Sequence, residues 1–306
     1  MSRILTVGNI NLETTLRVSG FPVQYQSALF VPFGVENNVS GVGYNLARAL
    51  SVLGSEVVLA GIVGRDRAAA TVRAQLRDDT LDDHYVIGQV EKTALSVVMY
   101  DETGRRAVFV DVKDLMDQSY PSDLFSEALG GVDAVLFTQV AYCRPLLAGA
   151  RAAGKLVAAD LQLIEDLDDD YKRPYLEEAA VVFMSDEQLP EAPEDWARHL
   201  MERYPGVDVV GIGLGSAGAL LAVRESGLIL RVPAVMPRPI VSTSGAGDAL
   251  FAAFMHYYSD TGDPEGAMRR AVVFAGYKIG EAGSSRGFLD VAGLEDVHGL
   301  HSPDNS

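Results

Sequence analysis

The sequence is poor in cysteine, in basic residues and in long apolar runs. Its one cysteine, Cys143, excludes a disulfide framework and any zinc site built from several cysteines. With 25 Lys+Arg against 42 Asp+Glu, the formal net charge is −17, which disfavours nucleic acid and anionic membranes as partners. The longest uncharged apolar stretch, 209–223, is interrupted by glycines and is too short to cross a bilayer. Small molecules remain as ligands, including anionic ones, because backbone dipoles can bind an anion on an acidic protein.

Short apolar runs alternate with helical stretches along the first two thirds of the chain. The predicted strands lie at 4–8, 57–61, 134–137, 156–159, 181–184 and 209–213. The predicted helices between them lie at 45–53, 67–77, 122–129, 145–153 and 194–204. Apolar strands that are separated by helices of this length form parallel sheets covered on both faces. The pattern therefore predicts an α/β fold with a doubly wound, mainly parallel sheet.

Other stretches alternate apolar with polar residues instead. They lie at 12–18, at 29–35, and at 94–100 and 106–112, which flank a turn and predict a hairpin. Alternation leaves one face of a strand buried and one free, so these stretches predict a small β-sheet that serves as a lid or as a dimer surface. We expect one domain over 1–295, with lid strands drawn from about 12–35 and 93–112, and a polar C-terminal tail over 296–306.

The segment 243–248 (T-S-G-A-G-D) leads from a turn of small residues into a predicted buried helix. Free backbone N–H groups at a helix N-terminus form a site for an anion, and Gly245, Ala246 and Gly247 are too small to block it. Asp248 stands in the first turn, where it is either a plain helix cap or a general base. The combination favours phosphoryl transfer to a hydroxyl, with Asp248 accepting the proton and the amides holding charge on the phosphate.

The segment 213–218 (G-L-G-S-A-G) matches a dinucleotide-binding fingerprint after a predicted strand. Such a fingerprint must open a helix and find an acidic residue about 20 positions further on. Here 219–223 and 228–232 predict a hairpin, and Arg238 stands near the place of the expected acid. An oxidoreductase is therefore disfavoured, although the glycines still allow the backbone to approach a phosphate closely.

The segment 243–248 resembles the T-x-G-A-G-D signature of the ribokinase-like (PfkB) carbohydrate kinases. The segment 40–47 (S-G-V-G-Y-N-L-A) is similar to that family's G-G-x-G-x-N-x-A, the segment 8–13 (G-N-I-N-L-E) to G-x-x-N-x-D, and 214–218 (L-G-S-A-G) to L-G-x-x-G. The four motifs come in the family's order, so the resemblance spans about residues 3–285. It implies a Rossmann-like core with a small β-sheet lid, which the alternating stretches suggest independently.

The resemblance also implies roles for particular residues of an ATP-dependent kinase that uses Mg²⁺. Asp248 would be the base, and Gly245, Ala246 and Gly247 would form the anion hole. The residues implied to line the site of the phosphoryl acceptor are Asn11, Glu13, Gly41, Gly43 and Asn45. Gly215 and Gly218 would lie near the ATP phosphates.

The chain departs from the family pattern at several positions. Ser242 replaces an Asp that helps to hold a monovalent cation in many relatives, so we expect little dependence on K⁺. The family's N-x-x-E, which is tied to Mg²⁺ and phosphate, would fall at 185–188 (S-D-E-Q), where neither end matches and Asp186 and Glu187 are the nearby carboxylates. Glu13 stands where Asp is usual. Val42 replaces the lysine of ribokinases proper, which disfavours ribose and looks more like kinases of pseudouridine and related nucleosides.

The sequence thus predicts a kinase that phosphorylates a hydroxyl of a sugar, a sugar derivative or a nucleoside. The N-terminal residues lack the pattern of a secretory signal peptide, so we expect a cytoplasmic protein. We also expect a homodimer that forms through the lid, since an unpaired, half-apolar sheet invites a partner. The alternative is a sugar or nucleoside sensor of the same fold that has lost turnover. Ser242 and the altered segment 185–188 favour the sensor, whereas the intact Asp248 favours the enzyme.

Overall fold

The structure is a computed structural model and describes residues 1–301. Its strands are β1 (Arg3–Val7), β2 (Asn11–Arg17), β3 (Val35–Ser40), β4 (Glu56–Val63), β5 (Val86–Gly88), β6 (Ala94–Tyr100), β7 (Arg106–Asp111), β8 (Ala134–Phe137), β9 (Leu156–Asp160), β10 (Val181–Ser185), β11 (Val209–Gly213), β12 (Ala219–Val223) and β13 (Leu228–Val232). Its α-helices are α1 (Val42–Val52), α2 (Arg67–Asp78), α3 (Ser122–Ala128), α4 (Leu147–Ala152), α5 (Arg173–Glu178), α6 (Pro193–Arg203), α7 (Ala246–Thr261), α8 (Pro264–Lys278) and α9 (Val291–His301).

The buried apolar runs form one large sheet in the order β13-β12-β11-β10-β9-β8-β1-β4-β5. The neighbouring strands β11, β10, β9, β8, β1, β4 and β5 are parallel to one another. Strands β12 and β13 add an antiparallel hairpin at the β11 edge. The predicted α/β fold and the predicted hairpin are therefore confirmed. The strand order reverses between β1 and β8, and in open parallel sheets the crevice at the carboxyl ends of such strands is where ligands bind.

Helices cover both faces of this sheet, as the strand composition requires. On one face, α1, α7 and α8 pack together in a single apolar cluster. Helix α7 is apolar on all sides, and its residues 249–255 are all buried. Each buried phenylalanine there, such as Phe251 and Phe254, contributes about 1.5–3 kcal/mol by leaving water. This packing fixes the N-terminus of α7 at the sheet edge. None of the helices described within 1–301 is long and apolar enough to span a membrane.

The alternating stretches form a second sheet, in the order β3-β2-β6-β7, which stands off the core as predicted. The hairpin of β6 and β7 is confirmed. The predicted strand over 29–35 is wrong for all but its last residue, because the strand runs from Val35 to Ser40 and 29–34 form an exposed loop. Pro32 has no N–H to donate to a sheet, and Phe33 has a φ of 55°, which is not an extended conformation.

The C-terminal segment is helical beyond the predicted boundary at residue 295, because α9 continues to His301. Leu294 is fully buried, and Glu295 accepts a hydrogen bond of 2.7 Å from Arg270 Nε. The composition of this segment is polar enough to predict a tail, but Leu294, the partly buried Val291 and Val297, and the ion pair of Glu295 attach it to the core. Residues 302–306 of the predicted tail lie outside the described residues.

Candidate active site

The N-terminus of α7 leaves backbone donors free. Gly245 precedes the helix with a left-handed φ of 75°, and a Cβ there would collide with the carbonyl O of Ser284. Within residues 1–301, the N–H groups of Gly245, Gly247 and Asp248 donate to no protein acceptor. A Cβ on Gly247 would meet no heavy atom of another segment within 4 Å, so space lies open beside these donors. We call residues 242–248 the anion-hole turn.

Asp248 stands half-buried beside the open donors. Its Oδ2 accepts a hydrogen bond of 2.6 Å from Asn45 Nδ2. Burial raises the pKa of Asp248 to about 6, while the hydrogen bond from Asn45 and the charges of Lys278 and Arg106 oppose the rise. A carboxylate with this pKa is ionised at neutral pH and is still basic enough to accept a proton in a transition state. The geometry therefore suits the role of general base.

The glycines of the segment 40–45 bring α1 against the end of β1. Gly41 has a φ of 98°, and a Cβ there would lie 2.5 Å from the carbonyl O of Asn9. A Cβ on Gly43 would lie 2.6 Å from the carbonyl C of Gly8. Gly41 lines the cleft described below, whereas Gly43 is buried behind it. Gly43 thus contributes indirectly, by allowing the close packing that places Asn45 beside Asp248.

Asn11 and Glu13 lie on the inner face of the lid, and each is 3% exposed. Asn11 Nδ2 donates to Ser96 Oγ at 2.8 Å. The carboxylate of Glu13 accepts from Ser40 Oγ at 3.1 Å and from Ser284 Oγ at 2.9 Å. The sequence predicts a carboxylate that faces the acceptor, but these oxygens already hold two serine hydroxyls. Glu13 therefore connects the lid to neighbouring segments as well as lining the cleft.

Gly215 and Gly218 form the turn between β11 and β12, at the other end of the cleft. A Cβ on Gly218 would collide with the carbonyl O of Val232, whereas one on Gly215 would meet nothing within 4 Å. The wall beside this turn is apolar and includes Ala234, Val235, Met236, Val272 and Ala275. A hairpin follows the turn, not a helix, so the geometry of a dinucleotide fingerprint is absent here.

Carboxylates project into the cleft from the ends of two neighbouring strands. Asp186 and Glu187, which follow β10, both line it. Asp160, at the end of β9, lines the cleft too, although no sequence motif predicts it. Burial and then the charge of Asp248 raise the pKa of Asp160 to about 7. The position of Asp160 at the carboxyl end of a buried strand was a signal that could have found it. In the part of the chain that the structure describes, no three His, Cys, Asp or Glu residues form a metal cluster by themselves.

Arg106 connects the lid hairpin to the anion-hole turn by hydrogen bonds. Its Nη1 donates to the carbonyl O of Thr243 at 2.9 Å and to Oγ1 at 2.5 Å. The Thr243 hydroxyl donates in turn to the carbonyl O of Gly104 at 3.2 Å. On the opposite side of the turn, Ser284 Oγ lies 2.8 Å from Ser244 Oγ. No sequence motif pointed to Arg106 or to Ser284, because each contacts the turn from a distant part of the chain.

One cleft of about 1050 Å³ between the sheet edge and the lid brings these residues together. The predicted site residues that line it are Asn11, Glu13, Gly41, Asn45, Asp186, Glu187, Gly215, Gly218, Gly245, Ala246, Gly247 and Asp248. Ser242, the first residue of the turn, is only 1% exposed and does not line the cleft, and its Oγ accepts from the N–H of Ser244 at 3.3 Å.

A carboxylate beside an open helix N-terminus, at the switch point of a parallel sheet and under a β-sheet lid, defines an α/β protein whose crevice offers free backbone donors to a ligand. The chain belongs to the pfkB family of carbohydrate kinases, whose family profile matches residues 1–290. The predicted resemblance is thereby confirmed.

Individual relatives match different shares of the chain. It is 28% identical over 295 residues to an ATP-dependent ribose-1-phosphate kinase of Halopiger xanaduensis, covering 93% of this chain and 94% of the relative. It is 37% identical over 105 residues to a deoxyribokinase of Salmonella typhi, covering 34% of this chain and only 33% of that protein's length. Among solved structures, a microbiome-derived acarbose kinase superposes with a TM-score of 0.88 at 25% identity, covering 98% of this chain and 99% of the other.

Proposed function

We propose that this chain transfers the γ-phosphoryl group of ATP to a hydroxyl of a sugar, a sugar derivative or a nucleoside. The observation that carries the proposal is Asp248, a basic carboxylate within the same cleft as three free N–H groups of the anion-hole turn. The ATP-dependent ribose-1-phosphate kinase that matches almost the whole chain supports ATP as the donor. The cleft volume of about 1050 Å³ suits two small substrates side by side.

In this mechanism Asp248 accepts the proton of the acceptor hydroxyl as its oxygen attacks the phosphorus atom. Asn45, through its hydrogen bond of 2.6 Å, fixes which carboxylate oxygen points into the cleft. The N–H groups of Gly245 and Gly247 hold negative charge on the transferring group, aided by the dipole of α7. The hydroxyl oxygen forms its bond to phosphorus as the bond to the leaving ADP oxygen breaks, and in-line transfer places these two oxygens on opposite sides of the phosphorus.

The nucleotide fits the end of the cleft that Gly215 and Gly218 line. The turn brings backbone close to the phosphates without side chains in the way, and the apolar wall beyond it offers a surface to a base. Mg²⁺ is usually held by one or two carboxylates together with phosphate oxygens, so the carboxylates that are present fit it. Asp160, Asp186 and Glu187 are the residues that would hold it. When bound, it would neutralise charge on the phosphates.

The acceptor fits between the anion-hole turn and the inner face of the lid. Within 1–301, the side-chain oxygens of Asn9 and Asn11 are buried without a hydrogen-bond partner, a state that costs about 1–3 kcal/mol for each group. Hydroxyl groups of an acceptor would satisfy them. Opposite these amides, Val108 and Val110 of β7 line the same cleft and are 47% and 55% exposed. A ligand with one hydroxyl-rich face and one apolar face suits both walls.

The test is an ATP-consumption screen of the purified chain over a panel of sugars, sugar phosphates and nucleosides, with Asp248→Asn in parallel. The proposal expects at least one acceptor whose phosphorylated product is detected by mass spectrometry and disappears with the variant. A panel in which ligands bind by calorimetry but no phosphorylated product forms would instead support the sensor alternative.

We further propose that the lid closes over the acceptor. Closure would exclude water and so limit wasteful hydrolysis of ATP. Hydrogen exchange of the backbone over 94–112 is expected to slow when acceptor and nucleotide bind together. Unchanged exchange with binding confirmed would contradict this part.

The outer face of the lid supports a homodimer. The register places Leu95, Val97 and Phe109 on this face, and they are 40%, 40% and 56% exposed, whereas Leu12 beside them packs against the core. A flat apolar face of this kind is typical of an interface. Phe109→Asp is expected to shift the sedimentation coefficient from dimer to monomer. Leu300→Asp, which changes an exposed leucine on α9, is the control and should leave it unchanged.

A further inference from the structure

Lys278 is a fully buried lysine that no sequence motif singles out. It ends α8 with 0% of its surface exposed. Its Nζ donates to the carbonyl O of Gly283 at 2.6 Å, and that is its one acceptor within the described residues. Burying an ammonium group is costly unless other charges compensate for it. The groups around Lys278 must therefore compensate for the cost of burying its charge.

The surroundings of Lys278 are the anion-hole turn. The N–H groups of Val241 and Ser242 both donate to the carbonyl O of Ile279, at 2.8 and 3.0 Å, so the turn begins directly against the end of α8. The other side of the turn is held by the loop that follows Lys278, through Ser284 and Ser244. The ammonium thus lies between two segments that both support the turn.

The charges around Lys278 are those of the active site. Burial lowers its pKa to about 8, while the carboxylates of Glu13 and Asp248 oppose the drop and Arg106 adds to it. The group therefore carries its positive charge at neutral pH. The same charge stabilises the ionised form of Asp248. Lys278 thus supplies, under the turn, a fixed positive charge that two active-site carboxylates share.

A dissociable monovalent cation does not fit this arrangement. Such an ion needs several oxygen ligands and benefits from a carboxylate among them. At position 242 the chain has a serine, and its hydroxyl oxygen already accepts from the N–H of Ser244. The carbonyl O of Gly283, which could serve as a ligand, is occupied by Lys278 Nζ.

We propose that the ammonium of Lys278 is a built-in cation that positions the anion-hole turn in place of a bound monovalent ion. It is a positioning residue, because it supports the turn from behind and does not line the cleft.

The first experiment compares the unmodified chain in tetramethylammonium chloride and in KCl at the same ionic strength. Two quantities are measured, the initial rate on an identified acceptor and the midpoint of thermal unfolding. Both should be the same in the two salts. A many-fold activation by K⁺, or a rise of the unfolding midpoint with K⁺ concentration, would overturn the proposal. The unfolding measurement needs no substrate, so it decides the matter even if the proposed kinase function fails.

The second experiment removes the charge by Lys278→Met. Loss of a group that orients catalytic ones typically lowers rates by about 10–100-fold, and we expect a loss of this size in kcat. Combining Lys278→Met with Ser242→Asp places a carboxylate at position 242 and leaves the carbonyl O of Gly283 without its lysine donor. In that double variant, K⁺ but not tetramethylammonium should raise the unfolding midpoint.

The matched control is Lys155→Met, since Lys155 Nζ also donates to a backbone carbonyl, that of Val132 at 2.8 Å, outside the cleft. This variant should keep the wild-type rate in both salts. A folded Lys278→Met variant with the wild-type rate and no response to K⁺ would show that the buried charge does not position the turn.

Discussion

Two glycine-containing turns open two helices of this protein, and they use their glycines differently. At the start of α1, a Cβ on Gly43 would lie 2.6 Å from Gly8, and the N–H of Gly43 donates to the carbonyl O of Asn9. At the start of α7, a Cβ on Gly247 would meet no other segment within 4 Å, and its N–H donates to no protein group within 1–301. Gly43 in the first turn therefore serves close packing, whereas Gly247 in the second turn leaves space for a ligand.

This contrast shows that a glycine motif has no fixed meaning. In both turns small residues let backbone approach something closely, but at α1 the neighbour is another part of the chain. At Gly247 of the α7 turn, the space is empty of protein. The α1 turn contributes to the site through Asn45, the side chain that it positions, whereas the α7 turn contributes its backbone directly.

The largest effect is expected from Asp248→Asn, which removes the base and leaves both turns intact. Loss of a general base typically lowers the rate by about 10²–10⁴-fold, so kcat should fall by that factor while acceptor binding changes little. Because burial raises the pKa of Asp248, its ionised form costs folding free energy at neutral pH, and the unfolding midpoint should not fall. Rate, calorimetric binding and unfolding are measured together. Asp263→Asn, a change at the N-cap of α8, is the control and should keep the full rate.

A methyl group added to each turn should have a different effect in each. Gly247→Ala adds a Cβ in open space where the phosphate would bind, so kcat should fall by about 10–100-fold without loss of stability. Gly43→Ala forces α1 away from β1, so overpacking should lower the free energy of unfolding by about 1–3 kcal/mol. Denaturant unfolding and steady-state kinetics separate the two. Equal losses of stability in both variants would contradict the distinction between the turns.

The dependence of the rate on pH sharpens the assignment of the base at the α7 turn. The pKa of Asp248 is raised to about 6, so the carboxylate becomes protonated and inactive as the pH falls through this value. We expect kcat/KM to level off above pH 6 and to decline below it, by up to tenfold per pH unit. A profile that stays flat well below this pH would show that Asp248 does not accept the proton.

The smallest effect is expected from Arg106→Met, which removes the hydrogen bonds that Arg106 makes between the lid and the α7 turn. The positive charge of Arg106 lowers the pKa of Asp248, so its removal should move the acidic limb of the pH profile upward by a few tenths of a unit. Arg77→Met, which changes an exposed arginine on α2 outside the cleft, is the control and should leave the limb in place.

The α/β core could be predicted because its signals are local. Strands such as β1 and β11 are buried on both faces and therefore form continuous apolar runs, and the spacing between runs admits a helix. The lid was predicted from alternation, but alternation alone does not distinguish a strand from an exposed loop, and over 29–34 it indicated a strand wrongly. Pro32 was the local sign against it. The C-terminal α9 was not predicted because Leu294 is its one fully buried residue, and a single apolar position gives no helical periodicity.

The residues of the candidate site also fall into those that local signals predict and those that they do not. The residues found from sequence, such as Asn45 and Asp248, lie in short motifs whose members are a few positions apart. The residues missed, Lys278 and Ser284 among them, act on the anion-hole turn through contacts that only the folded chain makes. A lysine at the last residue of a helix is ordinary in a sequence, and no spacing rule connects Lys278 with position 242.

The hydrogen bond of 2.9 Å between Ser284 and Glu13 joins residues 271 positions apart. On the ribosome, the lid strand that carries Glu13 therefore emerges 271 residues before its partner. Until then the carboxylate of Glu13 and the hydroxyl of Ser244 lack the group that bridges them. Contacts of such sequence separation form late because a long loop must close first. Nascent chains that stop short of Ser284 are therefore expected to acquire the α/β core before they acquire a finished phosphate site.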